Sequence, residues 1–419
     1  MYQTISQVVT QSGLWDGTRR QSHAFLLSPS VFAITHTQHQ ELNGLGVALF
    51  DCLLGLSHIA VIAYDPKVNY DGAWRFARRV FSAGVPHAYV PLQAANFKHI
   101  PRLLKVDVMV DNQGNFKIAE IDGHNKHGLG YATLVKRIRE AIYPKANALP
   151  GTVSLLAQEI RRLGHEHITI FYGDQERFYI PEFEIAADEL RKHSIHCSVI
   201  SEMEAKEESL IQGLFLDLPF LYRKKELYDY IIPAYQEGAV QFIIPPKPFL
   251  GSKGTLALLR NDSHNEHLEA ILCSFIKRSS LETIRRYTPE ILLIGRHAER
   301  IEATEQRMKE KRYVLKESIS SGMKGTIFSD DPSFEKVLAR ACKAHANWII
   351  QKEVTNMPQE LSWYETDNNK VALKTSQDWF MRVTLQYVNR QLGDIVVTAC
   401  RNKAVHGAKN CIQIGSVVS

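Results

Sequence analysis

The 419-residue chain lacks the sequence marks of several large protein classes. Its six cysteines are widely spaced, and none of them forms a C-x-x-C pair. This usage is typical of reduced, mostly buried thiols in a cytosolic protein, so we expect a cytoplasmic location. The first twenty residues contain no basic segment followed by an apolar one, and no secretory signal is predicted.

Long apolar runs and clusters of one charge are also missing. The longest apolar stretch, residues 47–64, contains Asp51 and His58 and falls short of a clean membrane span. The formal net charge is +5, but basic and acidic residues are interspersed, unlike the clustered basic surface of a nucleic-acid-binding protein. With 45% hydrophobic and 23% charged residues, the composition predicts a soluble globular protein without membrane or nucleic-acid partners.

Helix and strand patterns alternate along the chain and predict a mixed α/β (α+β) protein with at least two lobes. In one small parallel α/β lobe, TVSLLAQEIRRLG and EFEIAADELRKHS are helical, and HITIFYG and HCSVISE are strands. Two strands are expected before this lobe, over HIAVIAYD and HAYVPL, and the tail is strand-rich. The expected divisions are an N-terminal region over 1–150, the lobe over 151–245 and a third region over 246–419.

Three carboxylates return on one face of a predicted β-hairpin, KVDVMVDNQGNFKIAEID. With the turn at Gln113–Gly114, two residues lie opposite each other when their numbers sum to 227. In this register Asp107 lies opposite Glu120 and Lys105 lies opposite Asp122, and all four side chains share one face. The other face is predicted to be core, built from the pairs Val106–Ile121 and Val108–Ala119.

The opposed acids need an explanation, because like charges at such positions repel by on the order of 3 kcal/mol at an effective dielectric of about 20. Two interpretations are open: a solvated face on which Lys105 softens the repulsion, or a divalent cation held between the acids. Ligands that are all oxygen favour magnesium, with manganese as the alternative. Since magnesium commonly takes a few carboxylates together with substrate phosphates, the second interpretation predicts a nucleotide partner.

Three later segments are candidates for nucleotide binding. FLGSKGT starts a helix with free backbone N–H groups and Lys253, although it lacks the first glycine of a P-loop. YVLKESISSGMKGTIF places Lys316 before a Ser/Gly-rich loop. NWIIQKEV ends a strand at Gln351, Lys352 and Glu353, an edge that can face an adenine. Each segment by itself is at least as compatible with an ordinary helix start, turn or strand end.

The order of these motifs resembles that of the circularly permuted ATP-grasp ligases, the group that contains eukaryotic glutathione synthetase. In that family an R-x-D strand and an E-x-N strand come first, followed by a G/N-x-K helix start, a lysine with a glycine-rich lid, and a Q/E hinge. The matching stretches here are KVD, EID, GSK, LKESISSGMKG and QKEV. The resemblance covers roughly residues 100–419 and implies a circularly permuted ATP-grasp fold with the parallel lobe as its substrate lobe.

The resemblance also implies residue roles around a bound ATP. Magnesium would be held by Asp107, Glu120 and Asp122. The phosphates would be contacted by Lys253 and Lys316.

The lid and the hinge follow in the same way. Gly322 and Gly325 would form the lid, and Gln351, Lys352 and Glu353 would lie beside the nucleoside.

Two positions depart from the family pattern, since Lys105 replaces the arginine of R-x-D and Asp122 replaces the asparagine of E-x-N. The family arginine steadies the activated acyl group, and a lysine lacks its bidentate fork. Asn125 is an alternative for the missing asparagine. A second catalytic candidate is Arg382, because an arginine among apolar strand residues needs a polar partner, such as a substrate carboxylate or phosphate.

The implied activity is that of an ADP-forming carboxylate–amine ligase that works through an acyl phosphate. Its substrates would be a small-molecule carboxylate and amine, of amino-acid or peptide-like character. His124 and His127 directly follow the acids and are candidates for lining the substrate pocket. Two alternatives stay open, an ATP-dependent phosphotransferase and a non-catalytic nucleotide-binding protein.

Overall fold

The computed structural model describes residues 1–14, 25–68, 72–205, 213–218, 225–295, 312–320, 325–344, 348–367, 370–407 and 410–419. The α-helices in these ranges are α1 (Tyr2–Ser12), α2 (His36–Tyr64), α3 (Gly72–Ser82), α4 (Leu129–Ile142), α5 (Thr152–Arg162), α6 (Ile180–Lys192), α7 (Lys225–Glu237), α8 (Lys253–Arg260), α9 (Glu266–Phe275), α10 (Arg278–Tyr287) and α11 (Phe334–Lys343). The first strands are β1 (Phe32–Ile34), β2 (Leu103–Val110), β3 (Phe116–Asp122), β4 (His167–Tyr172), β5 (His196–Ser201), β6 (Leu214–Phe215), β7 (Gln241–Phe242) and β8 (Ile291–Ile294). The later strands are β9 (Tyr313–Glu317), β10 (Thr326–Phe328), β11 (Trp348–Lys352), β12 (Gln359–Asp367), β13 (Lys370–Val388), β14 (Gln391–Cys400), β15 (Ile412–Ile414) and β16 (Ser416–Val418).

A six-stranded antiparallel sheet forms the centre of the molecule, in the order β15-β14-β13-β2-β3, with β12 paired to β13. In β13, Val383, Leu385 and Tyr387 are fully buried in the core, whereas Arg382 and Thr384 alternate onto the opposite face. The period of two therefore separates an apolar face from a polar one. The tail is strand-rich as predicted, and β12 with the first half of β13 was not foreseen.

Helix α2 packs under the apolar face of this sheet. It begins at Thr35, whose side chain forms a capping box with Gln38, and fourteen of its 29 residues are buried. It is the one helix within the described ranges that is long and apolar enough to cross a membrane, and 67% of its most apolar window is buried inside the protein. An apolar helix that is mostly buried belongs to a core. At Gly46 the Tyr387 ring packs so closely that an added Cβ would lie 2.6 Å from it.

Two predicted strands before the lobe are wrong. HIAVIAYD is the last part of α2. The prediction failed because a short continuous apolar run has no periodicity that distinguishes a helix from a strand. HAYVPL lies in a 3₁₀ segment, His87–Ala94, that contains Pro91. Proline has no N–H to donate to a strand ladder, so this run could not have continued as an interior strand.

The helices and strands predicted from 151 to 201 are confirmed as α5, β4, α6 and β5. Their sheet has the order β5-β4-β6-β7, and all three pairings are parallel. Its core includes Leu103 and Val388 of the central sheet as well as residues of the lobe itself. The mixed α/β class is therefore confirmed, while the domain divisions and the substrate role of the lobe stay predictions.

Asp394 joins the lobe to the central sheet and makes stability depend on pH. Its Oδ2 accepts a hydrogen bond from the backbone N–H of Thr152 at 2.5 Å, at the start of α5. Burial raises the pKa of Asp394 from 3.8 to about 6, although the Thr152 hydrogen bonds act in the opposite direction. The unfolded chain therefore ionises first as the pH rises, and the stability that protonated Asp394 contributes is fully present below about pH 4 and lost as the pH passes 6.

We expect Asp394→Asn to remove this pH dependence, because an amide oxygen still accepts from Thr152 but carries no charge. The free energy of unfolding of the wild type should fall by about 2–3 kcal/mol relative to the variant between pH 4 and pH 7. Urea denaturation of both proteins across that range measures the difference. If the free energies of unfolding of the wild type and the variant changed equally with pH, Asp394 would have its ordinary pKa in the folded protein.

A small four-stranded antiparallel sheet, in the order β10-β9-β11-β8, contacts strand β3 of the hairpin through Lys316 and Gln351. Its core contains Tyr313, Leu315 and Ile350, and Phe334 of α11 packs against them. Strands β9 and β11 pair with Lys316 opposite Ile349 and Val314 opposite Gln351. Two segments that the sequence marked separately, YVLK and WIIQK, are thus neighbours in one sheet.

Candidate active site

The hairpin brings the acids together as the sequence predicted. Strand β2 pairs with β3 so that Asp107 lies opposite Glu120 and Lys105 lies opposite Asp122. The register shifts between Asp107 and the next residue, so Val108 lies opposite Ile118 and the predicted pairing of Val108 with Ala119 is wrong. Strand β3 therefore has one residue more than β2 at this point. This β-bulge bends the strand locally and changes the direction of its side chains.

A cavity of about 340 Å³ lies between the polar face of the central sheet and the four-stranded sheet. Strands β2, β3 and β13 supply one wall, and β9, β10 and β11 supply the other. The predicted site residues in its lining are Asp107, Glu120, Lys316, Gln351, Lys352, Glu353 and Arg382. Segments far apart in the chain therefore meet in one cavity.

Lys316 and Gln351 join the two walls of the cavity. Lys316 Nζ donates to the carbonyl oxygen of Ala119 at 3.0 Å and to Gln351 Oε1 at 2.7 Å. Gln351 Nε2 in turn donates to the carbonyl oxygen of Ile118 at 3.0 Å. Burial lowers the pKa of Lys316 to about 8, although Glu120 and Asp107 act in the opposite direction. The bulged strand thus receives a desolvated ammonium group that would gain from an anionic ligand.

Lys253 lies at the first turn of α8 and is almost completely buried, at 3% exposure. Ser252 caps the helix by accepting from the N–H of Gly254 at 3.1 Å. Lys253 Nζ lies 3.3 Å from Glu120 Oε2 and donates to the carbonyl oxygen of Ser320 at 3.3 Å. This lysine therefore connects the acidic strand to the segment that follows β9.

Asp107 faces the cavity with two partners from β13. It accepts a hydrogen bond from Thr384 Oγ1 at 2.5 Å, and its other oxygen lies 3.5 Å from Arg382 Nη1. The Nε atom of Arg382 is buried and donates to no atom within the described residues. Arg382 therefore lines the cavity beside a carboxylate and keeps one donor that no described residue uses.

Asp122 and Lys105 form an ion pair beyond the cavity lining, at 2.8 Å. Asp122 also lies 3.4 Å from the ring of His124, and Lys105 Nζ donates weakly to Asn125 Oδ1 at 3.4 Å. Burial alone would raise the pKa of Asp122, but the charges of Lys105 and His124 outweigh it and hold that pKa at about 2. Lys105 thus neutralises Asp122.

The acids fit a magnesium ion in part. Asp107 and Glu120 are 22% and 32% exposed, side by side on the cavity wall, whereas Asp122 is engaged with Lys105. The described ranges hold no group of three or more His, Cys, Asp or Glu side chains arranged to bind a metal. Two opposed carboxylates still match magnesium, which takes one or two of them and completes its shell with water and phosphate oxygens.

Of the two glycines predicted to form a lid, one lies in the described residues. Gly325 precedes β10 with a φ of 69°, and its carbonyl oxygen accepts from the N–H of Glu317 at 3.0 Å. Any side chain there would be strained and would meet Glu317 at 2.9 Å from its Cβ. Gly322 lies outside the described residues.

Three features around the site were not predicted, and one of them, Lys403, lines the cavity. Thr384 orients Asp107, and Lys403, from the segment after β14, lies 3.4 Å from Glu353 Oε1 on the cavity wall. Alternation along β13 was the available signal for Thr384, since it shares the parity of Arg382. Lys403 follows a strand in a polar turn, and no local pattern distinguishes it.

The third feature is a buried ionic network centred on Lys126, which is 1% exposed. Its Nζ lies 2.8 Å from Glu176 and 3.2 Å from Asp217, both in the parallel lobe. His127 Nε2 is 3.1 Å from Glu176, and the hydrogen bonds of Glu176 and Glu182 raise the pKa of His127 against the effect of burial. The network fixes the segment that follows the acids onto the lobe.

The chain matches no protein family and no curated protein. A solved structure described as a candidate gamma-glutamylcysteine synthetase, from Methylobacillus flagellatus, is 10% identical, covers 91% of this chain and 87% of its own, and has a TM-score of 0.35. D-alanine–D-alanine ligase from Bacillus anthracis is 12% identical, covers 59% of this chain and 86% of its own, and has a TM-score of 0.27. Scores this low do not establish a shared fold, so the function must be argued from the cavity.

Proposed function

We propose that this protein is an ADP-forming ATP-dependent carboxylate–amine ligase with a circularly permuted ATP-grasp architecture. One observation carries the proposal. A single cavity collects two opposed carboxylates, the partly buried Lys316, an arginine with an unused donor and the polar end of an apolar strand. Paired acids and buried cations around one space are the arrangement that a metal-bound polyphosphate requires.

The nucleoside would lie at the end of β11. Gln351, Lys352 and Glu353 line this part of the cavity, and Glu353 Oε2 is buried without a hydrogen-bond partner among the described residues. Apolar side chains, including Val314 and Phe328, supply a surface for a base. A volume of about 340 Å³ lies within the range of small-molecule sites.

The phosphates would lie between the acids and the lysines. Asp107 and Glu120 would hold magnesium, with Asp122 available only if Lys105 releases it. The ion would supply charge neutralisation on the phosphate oxygens. Lys316 and Lys253 approach this region from the opposite wall and from α8, where their charges would stabilise the transferring phosphoryl group by position.

Arg382 is the residue best placed to hold the activated acyl group. It lines the cavity beside Asp107, and its Nε donates to no atom of the described residues. Lys105, by contrast, is paired with Asp122 outside the cavity lining. Only an arginine offers the planar fork that binds a carboxylate with two hydrogen bonds. In this proposal Arg382 takes the role of the family arginine, and Lys105 positions Asp122.

The reaction would proceed in two displacements. A substrate carboxylate oxygen attacks the γ-phosphorus of ATP, and the bond to the β–γ bridging oxygen breaks to release ADP. The substrate amine then attacks the acyl carbon, phosphate leaves with the bonding electrons, and the amine loses a proton. The chain supplies positioning and charge rather than a nucleophile of its own.

The test is ADP release by the full-length protein with magnesium and ATP across a panel of small acids, each with and without a panel of amines. We expect one acid to give a hydroxamate when hydroxylamine replaces the amine, because hydroxylamine traps acyl phosphates. A stable phosphorylated product without hydroxamate would instead identify a phosphotransferase. ATP binding without turnover for any pair would leave a nucleotide-binding protein.

A further inference from the structure

Cys400 and Cys411 face each other across the edge of the central sheet. Strand β14 pairs antiparallel with β15, and the last recorded pair is Ala399 with Ile412. One further step in the same register places Cys400, the last residue of β14, opposite Cys411, which precedes β15. Opposed residues in antiparallel strands have Cα atoms about 4.5–5.5 Å apart, within the range of about 4.4–6.8 Å that a disulfide spans.

The Lys403 segment, residues 401–407 between these cysteines, forms part of the cavity wall. Lys403, Ala404 and Val405 all line the cavity proposed for the nucleotide. Lys403 Nζ lies 4.7 Å from the centre of the Phe328 ring in β10 and 2.5 Å from Asp330 in the turn that follows this strand. The cysteines thus flank a segment that clamps the central sheet to the small sheet at the cavity.

In the reduced protein the two thiols contact the backbone of this segment. Cys400 Sγ lies 3.1 Å from the carbonyl oxygen of Asn402, and Cys411 Sγ donates to the carbonyl oxygen of His406 at 3.1 Å. The Cys411 thiol donates its hydrogen to His406, and a disulfide sulfur carries none, so this hydrogen bond does not survive oxidation. Forming the disulfide therefore removes one attachment of the segment that carries Lys403.

Cys400 also has the reactivity that disulfide exchange requires. Its hydrogen bond with Cys411 and its backbone contacts with Asn402 and His406 lower the pKa of Cys400 to about 6, although partial burial acts in the opposite direction. Cys411 is 2% exposed, so the half-buried Cys400 is the thiol that a reagent reaches first. By contrast, burial raises the pKa of Cys197 to about 12, and that thiol stays inert.

We propose that Cys400 and Cys411 are a redox modification site, which low-molecular-weight disulfides convert to a reversible cross-strand disulfide that loosens the Lys403 segment and weakens nucleotide binding. The Cys400 thiolate attacks one sulfur of the reagent, forms a mixed disulfide and releases one thiolate. Cys411 then attacks Cys400 Sγ and expels the second thiolate. The two protons of the cysteines pass to the two departing thiolates, so the protein loses two electrons that the reagent gains.

The disulfide itself is tested on the full-length protein with glutathione disulfide, followed by intact mass and titration of the six thiols. We expect a loss of two hydrogen atoms and two thiols, reversed by dithiothreitol. Cys400→Ser should abolish this change, and Cys411→Ser should instead retain a glutathione adduct. Cys273→Ser, which removes an exposed cysteine elsewhere, should oxidise like the wild type. An unchanged thiol count, or a disulfide that survives in Cys400→Ser, overturns the proposal.

The coupling is tested by amide hydrogen exchange of residues 401–407 and by the Kd for magnesium–ATP, in the reduced and oxidised forms. We expect faster exchange in this segment and a Kd that rises by about 3- to 10-fold, which is the loss of roughly one hydrogen bond. Unchanged exchange with an unchanged Kd overturns the coupling. If ATP binds neither form while the disulfide forms and exchange rises, the nucleotide proposal fails and the redox site stands.

Discussion

Lys316→Met is expected to reduce ATP-dependent turnover by about 10²–10³-fold, which corresponds to roughly 3–4 kcal/mol of transition-state stabilisation. Lys316 is the partly buried cation on the cavity wall that faces the acids, and methionine keeps its length without its charge. A desolvated ammonium group that neutralises phosphate charge is worth more than the same group in water. The effect should therefore fall on kcat/KM for ATP.

The wild-type pH profile gives an independent check of the same residue. Because burial lowers the pKa of Lys316 to about 8, the side chain is charged at pH 7 and loses its charge as the pH rises through 8. This pKa is that of the nucleotide-free protein, so the affinity for ATP should fall as the pH rises above 8. Lys316→Arg should shift the decline to higher pH, since a guanidinium stays protonated throughout the measurable range.

A matched control separates charge from folding. Lys343→Met changes an exposed lysine at the end of α11, away from the cavity, and should leave turnover within about twofold. Melting temperatures of both variants show whether the loss of the Lys316 hydrogen bonds to Ala119 and Gln351 unfolds the small sheet. A folded Lys316→Met protein with wild-type turnover would remove Lys316 from the phosphate site.

The sequence was sufficient for the features whose causes are local. Strand alternation and a short turn place Asp107 opposite Glu120, and the same rule puts Thr384 and Arg382 on the polar face of β13. The alternation of helix and strand from 151 to 201 likewise identifies the parallel lobe. In each case the period of a short segment determines which side chains share a face.

Features that depend on distant segments could not be predicted in this way. The bulge after Asp107 changes the register beyond it, and nothing in the hairpin sequence marks its position. The second half of helix α2 is a nearly continuous apolar run, so its pattern does not distinguish helix from strand. Lys253 illustrates the same limit, since only the three-dimensional structure shows that it lies beside Glu120.

Lys126→Met is expected to destabilise the protein by about 3–5 kcal/mol, the usual cost of removing one partner from a buried ion pair. Lys126 is 1% exposed and forms ion pairs with both Glu176 and Asp217, so methionine would remove the cation from Asp217 and leave Glu176 paired with His127. Lys136→Met is the control on α4. Lys136 pairs with Glu140, and both are partly exposed, so its loss should cost under about 1 kcal/mol. Urea denaturation at pH 7.5 measures both variants.

The pH dependence of this loss tests its electrostatic origin. Burial raises the pKa of Asp217 to about 6 even with Lys126 beside it, so without the lysine Asp217 should protonate more readily. The destabilisation by Lys126→Met should then shrink as the pH falls from 7.5 to 5, and Asp217→Asn in the same chain should recover part of it at pH 7.5. A loss that is equal at both pH values and unchanged by Asp217→Asn would mean that Lys126 acts by packing against Phe183, whose ring centre lies 5.3 Å from its Nζ. Because Lys126 follows Asp122 by four residues, an electrostatic result would also explain how the parallel lobe holds the acidic strand in place.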